Sequence, residues 1–219
     1  MPTFSVTCGN TIYRHHPHYR GPSTSTASCI HGVDIPNAHR ADVFRAHRLA
    51  TNGGCWIDSD IILLKPATEL IEQANADRTF VAFGHRAHRP KIPMLAAWPG
   101  CPIAAEWARR QRVRLWSNPD TPLKWTEIGE SMLAKIIADR PDWPHVVYPM
   151  KRIAPIPWQK AKRWLEPGDI DDFTDDHTIG CHLSGNSLAN TRLPTIGRDE
   201  LLESDMLISS AFRKALGLK

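Results

Sequence analysis

Apolar and polar positions fall into blocks that switch between a helical period and a strand period. Over residues 38–51, Ala41, Phe44 and the stretch Ala46 to Ala50 make a partly apolar face. Asn37 stands as a candidate N-cap and Gly53 as a candidate stop, so the stretch predicts a helix. An apolar run over 55–64 follows at once and reads as a buried strand, stopped by Pro66. Residues 67–76 predict a second helix and 79–83 a short strand. Residues 85–93 read as a basic loop, 94–98 as a strand, and 102–116 as an amphipathic helix with an arginine-rich outer face. A helix over 128–138 and a strand over 146–148 follow. Beyond them, 151–164 interleaves basic and aromatic residues, 169–176 is an acidic loop, 178–183 a short strand and 199–216 a closing helix. Helices alternating with strands predict the α/β class. No internal repeat is present.

The first 36 residues break the pattern. Residues 3–7 predict one short strand, whereas 13–29 carry His, Arg, Pro, Ser and Thr with almost no aliphatic content and read as loop. The His15-His16-Pro17-His18 cluster matches no standard metal spacing. The expectation is an irregular segment over 1–36 and a single domain over 37–219, long enough for a substantial core.

Two carboxylates within the 55–64 run change the picture. A strand's period of two would put Asp58 and Asp60 on one face. Like charges on a buried face repel and are costly to desolvate, so a bound cation or polar ligand is expected. On the preceding helix, Asp42 and Arg45 are i,i+3 neighbours, and the Gly53-Gly54 turn leads from that helix to the aspartates.

Composition narrows the function classes. A net charge of +4 permits anionic ligands or an anionic membrane surface without demanding nucleic acid. The longest aliphatic run, 61–64, is far too short to span a bilayer, and no leader pattern is read at the start. Five cysteines, at 8, 29, 55, 101 and 181, include no CxxC and read as reduced thiols of a cytoplasmic protein. The stretch Lys151, Arg152, Trp158, Lys160, Lys162, Arg163, Trp164 reads as a solvated face or as an acceptor or diphosphate contact, ahead of nucleic acid.

Ala41-Asp42-Val43-Phe44-Arg45, then Gly53-Gly54-Cys55-Trp56-Ile57-Asp58-Ser59-Asp60, then Leu63-Leu64-Lys65-Pro66 resemble the core of the DXD sugar-transferase family. That family includes capsular-polysaccharide synthesis proteins, yeast mannosyltransferases of family 32 and, more distantly, the glucosylating toxins of clostridia. Met94 to Gly100 with Pro102 resembles the family's segment after the third strand, although Lys91 and Ile92 stand where asparagine is common. Thr126-Glu127-Ile128-Gly129-Glu130 resembles a Thr-Gly-Pro turn with the proline missing. Pro155-Ile156-Pro157-Trp158 and Cys181-His182-Leu183-Ser184-Gly185-Asn186 resemble the late Pro-x-Pro-Trp and His-Leu elements.

The resemblance covers residues 38–186 and implies a GT-A type fold with a mixed central sheet. Part of its N-terminal strand region would be missing or reduced to 3–7. It implies a metal-dependent, retaining glycosyltransferase of the hexosyltransferase type. Such an enzyme moves a sugar from a nucleotide-sugar donor to a glycan or lipid-linked acceptor, using Mn²⁺ or Mg²⁺. Asp42 and Arg45 would hold donor-sugar hydroxyls, with Trp56 beside the donor and Trp158 against a sugar. Asp58 would reach the ribose or sugar, directly or through the metal. Asp60 would ligate the metal, and His182, or else Asn186, would complete its shell. The setting would be cytoplasmic, with peripheral contact at the inner membrane surface allowed. Two other readings stand beside this one. A phosphatase of the haloacid-dehalogenase type would use Asp58 and Asp60, although Ile62 occupies its usual Thr or Val position. A truncated relative would bind sugar-nucleotide without turnover.

Overall fold

The computed structural model describes residues 5–7, 11–13, 35–86, 88–191 and 193–218. Apart from Tyr13, the predicted loop over 13–29 and its histidine cluster lie outside the described residues. In chain order the elements are β1 (Ser5–Thr7), β2 (Thr11–Tyr13), α1 (Asn37–Asn52), β3 (Gly54–Ile57), β4 (Ile61–Leu63), α2 (Thr68–Ala76), β5 (Phe80–Arg86) and β6 (Arg89–Ala97). They continue with α3 (Pro102–Ser117), α4 (Glu130–Asp139), β7 (His145–Pro149), β8 (Gly180–His182), α5 (Gly185–Leu188), α6 (Arg198–Glu203) and α7 (Leu207–Leu216). Short 3-10 helices fill the chain between β7 and β8. The class is α/β with a mixed sheet. The chain packs as two compact units, so residues 37–219, expected as one domain, are shared between both.

The first unit holds residues up to 57 and 68–148. Its six strands run in the order β1-β2-β3-β6-β5-β7, with one parallel pair and the rest antiparallel. The segment expected to be irregular therefore contributes two strands, and β1 occupies the sheet edge. Strand β3 lies between β2 and β6, with Trp56 opposite Leu95 and Ile57 opposite Met94. Helix α1 reaches β3 without a loop because Gly53 adopts φ 63° as its N–H bonds the Leu49 carbonyl at 3.1 Å. A Cβ at Gly53 would lie 2.6 Å from the Pro99 nitrogen, so the turn admits only glycine. Asn37 is not the cap; Pro36 holds that position without a side-chain bond. The core gathers Leu49, Trp56, Phe80, Leu95, Trp107 and Ile136.

The predicted basic loop over 85–93 is instead the β5–β6 hairpin, with Arg86 paired to Arg89 and Gly84 to Pro90. Arg86 and Arg89 sit at an exposed tip, while Phe83, Pro90 and Pro93 are buried below them. Charge there marks the solvent end of two strands rather than a loop.

The second unit holds 58–67 and 149–219. Here β4 and β8 pair antiparallel, with Ile61 opposite His182, Ile62 opposite Cys181 and Leu63 opposite Gly180. Ile62, Ile156, Trp164, Ile170, Cys181 and Leu207 belong to its core. The predicted strand over 55–64 is thus two strands in different sheets. Asp58-Ser59-Asp60 forms the turn between them, closed by the Ile61 N–H on the Asp58 carbonyl at 3.2 Å. Asp and Ser favour turns through their short polar side chains, and that tendency outweighs the apolar flanks. The closing helix over 199–216 is also two, α6 and α7. Met206 between them makes a β-bridge with Pro167, and the Leu202 and Ser204 carbonyls bond Arg213.

Among the described residues no helix is long and apolar enough to cross a membrane. Cys55, Cys101 and Cys181 are free and buried. Burial pushes their thiols up to about 12, 11 and 12, which leaves them inert at neutral pH.

Candidate functional site

The predicted residues fall into two groups, one in each unit. In the first, α1 presents Asp42 and Arg45 on one face, their side chains only 8% and 5% exposed and 3.4 Å apart. The Arg45 guanidinium sits 4.9 Å above the Trp56 ring, and Phe44 meets the same ring edge-on at 6.0 Å. Trp56 is buried, so its indole backs the arginine and fixes the plane of the fork.

Two residues that the sequence reading did not single out, Gln111 and Trp107, hold Asp42 and the turn beside it in place. The fully buried Gln111 of α3 donates Nε2 to the Asp42 carbonyl at 3.1 Å and to the Ile128 carbonyl at 2.8 Å. Trp107 donates its indole N–H to the same Ile128 carbonyl at 2.7 Å. The turn so anchored brings Gly129 against the carboxylate: a Cβ at 129 would lie 2.4 Å from Asp42 Oδ2. Gly129 fell within the turn resembling Thr-Gly-Pro. Gln111 carried no signal, since one glutamine on an amphipathic helix reads as surface. Next to this turn, Glu127 accepts from Arg114 at 2.5 Å and Glu130 from Lys91 at 2.6 Å. The Lys124 N–H and Arg114 hold the Glu127 carboxyl below its usual range, so it is a poor proton acceptor.

In the second unit, Asp58 and Asp60 leave the strand setting assigned to them and lie on the turn before β4. Asp60 Oδ2 accepts the Gly185 N–H at 2.7 Å and lies 3.3 Å from His182 Nε2. His182 is fixed as the last residue of β8, its own N–H on the Ile153 carbonyl at 2.7 Å. The next residue, Leu183, donates to the Asp60 carbonyl at 2.9 Å. Ser184 then adopts left-handed φ 57°, which turns the backbone so that Gly185 N–H meets the carboxylate. Burial raises the Asp60 pKa, but the hydrogen bond and charge of His182, together with the Gly185 N–H, overcome it and hold the carboxyl below its usual value. Asn186 is exposed in α5. Trp158 opens a 3-10 helix and is 62% exposed.

The carboxylate suits a hard divalent cation, and the imidazole adds a borderline nitrogen donor that first-row transition metals accept more readily than Mg²⁺ does. Among the described residues no three His, Cys, Asp or Glu side chains gather in one place. No protein-family model, curated protein or solved structure matches the chain.

Proposed function

We propose that the protein is a metal-dependent glycosyltransferase of the GT-A type, moving a sugar from a nucleotide-sugar donor to a glycan or lipid-linked acceptor. The observation that carries this reading is the meeting of Asp60 and His182 at 3.3 Å. The two come from motifs far apart in sequence, and the resemblance to DXD transferases implies both as metal ligands. Asp60, through its carboxylate, and His182, through a ring nitrogen, would hold Mn²⁺ or Mg²⁺. The charge of that cation would offset the charge developing on a departing nucleoside diphosphate. The depressed pKa keeps this carboxylate ionised well below neutral pH. The resemblance separately implies Asp42 and Arg45 of the first unit as contacts to donor-sugar hydroxyls, a role that suits a planar guanidinium donor paired with a carboxylate acceptor. The family resemblance implies retention at the anomeric carbon.

The test is nucleoside diphosphate release from a panel of nucleotide sugars with Mn²⁺. Turnover of at least one donor is expected, and Asp60→Asn should abolish it while Tm moves by only a few degrees. Unchanged turnover in the Asn variant, or no turnover of any donor, overturns the reading. Tight donor binding without turnover would instead favour a non-catalytic relative.

A further inference from the structure

Helix α3 has an outer face that the candidate site does not use. Its inner face buries Ile103, Ala104, Trp107, Gln111 and Leu115. Arg109, Arg112, Val113 and Trp116 recur at i, i+3, i+4 and i+7 and share one side of the helix. All four are exposed, Trp116 by 65% and Val113 by 49%. Val113 and Trp116 are i,i+3 neighbours, so their exposed apolar surfaces lie side by side on the helix.

The arginines of α3 differ in how they are engaged. Arg109 and Arg110 close on Glu106, Arg110 also reaches Asp139, and Arg114 closes on Glu127. Arg112 makes no ion pair or hydrogen bond among the described residues. Its charge reaches α1: after burial, the Arg48 and Arg112 charges keep the His47 imidazole below its usual pKa. Beside this stripe, α1 and α3 leave a groove of about 290 Å³ with Val43, Ala50, Ala108 and Leu115 among its apolar walls and His47 and Arg112 in its polar lining.

We propose that this face docks on an anionic phospholipid surface. Each component matches a layer of that surface. An indole settles at the boundary between headgroups and acyl chains, where its ring is dry and its N–H is wet. Arg112 pairs with a headgroup phosphate. Val113 and the apolar groove wall meet the upper methylenes of the chains. A nucleic acid would need several open cations along one track, and here most of the arginines already answer carboxylates. The proposal does not rest on sugar transfer.

Co-sedimentation of the full chain with vesicles tests it, using phosphatidylcholine alone and phosphatidylcholine mixed with phosphatidylglycerol. Binding to the anionic vesicles only, weakening as salt rises, is expected. Arg112→Gln should lower that partition about fivefold, the equivalent of one basic side chain near a charged bilayer. Trp116→Ala should lower it several-fold with unchanged circular dichroism, since the indole is exposed. Equal binding to neutral vesicles, or unchanged binding in both variants, overturns the proposal. So does retention of a polyuridine probe that needs Arg112 and Trp116 in a protein that leaves vesicles untouched.

Discussion

Gly129 shows how much depends on one hydrogen atom in place of a methyl. The Asp42 carboxylate occupies the space that any side chain at 129 would take. Gly129→Ala must therefore push Asp42 away from Arg45 or shift the turn, and overpacking of this kind costs about 1–3 kcal/mol. A lower Tm together with lost sugar transfer is expected, whereas an alanine variant with native Tm and activity would mean the carboxylate has room to move. Gln111→Leu probes the same point from below. It keeps most of the side-chain volume but removes both donors, leaving the Asp42 carbonyl without the Gln111 bond while Trp107 still serves Ile128. The loss should be on the order of 1–3 kcal/mol in chemical denaturation. These contacts were not legible in the sequence, because they join residues far apart through backbone carbonyls that carry no residue-type signal. Asp42 and Arg45 were legible, because i,i+3 spacing on a helix fixes their shared face whatever surrounds them.

Among the elements, α3 carries a compact electrostatic device. Glu106 receives Arg109 through two bonds at 2.6 and 2.8 Å and Arg110 through one at 2.8 Å, and Arg110 continues to Asp139 of α4. The Arg109 hydrogen bond, with Arg110 adding to it against burial, lowers the Glu106 carboxyl to about 2. Its folded pKa lies below that of the unfolded chain, so the stabilisation is present in full above about pH 4.5. It fades as pH falls from there through about 2. Glu106→Gln should lie below the native protein in Tm at pH 6 and converge with it near pH 2. The gap should be on the order of 1 kcal/mol or less, as these groups are partly solvated. A constant gap across that range would show that the carboxylate charge is not what the variant removes.

Elements also differ in how openly the sequence announces them. Helix α1 was legible because its apolar spacing and Gly53 agree. The strand over 55–64 was misread because apolar flanks hid a turn of three small polar residues, and the β5–β6 hairpin because its charged tip and two prolines look like loop. The break between α6 and α7 depends on a bridge to Pro167, a partner that local periodicity does not contain.

At the scale of the whole molecule, residues 58–67 are packed with 149–219 rather than with the residues that flank them in the chain. Ile62→Ala removes a buried side chain that lies opposite Cys181, and losses of this kind cost about 2–5 kcal/mol. Hydrogen exchange should lose protection within 149–216 while β5 and β6 keep theirs. Equal loss in both regions would mean the two units unfold as one.

The β4–β8 pairing has a further consequence during synthesis. Ile61 to Leu64 leave the ribosome roughly 120 residues before His182, a wait of about 6–24 s at about 5–20 residues per second. Throughout that interval the nascent chain holds an apolar strand whose sheet partner among the described residues has not yet been translated. The second unit completes this pairing only when the last quarter of the polypeptide emerges.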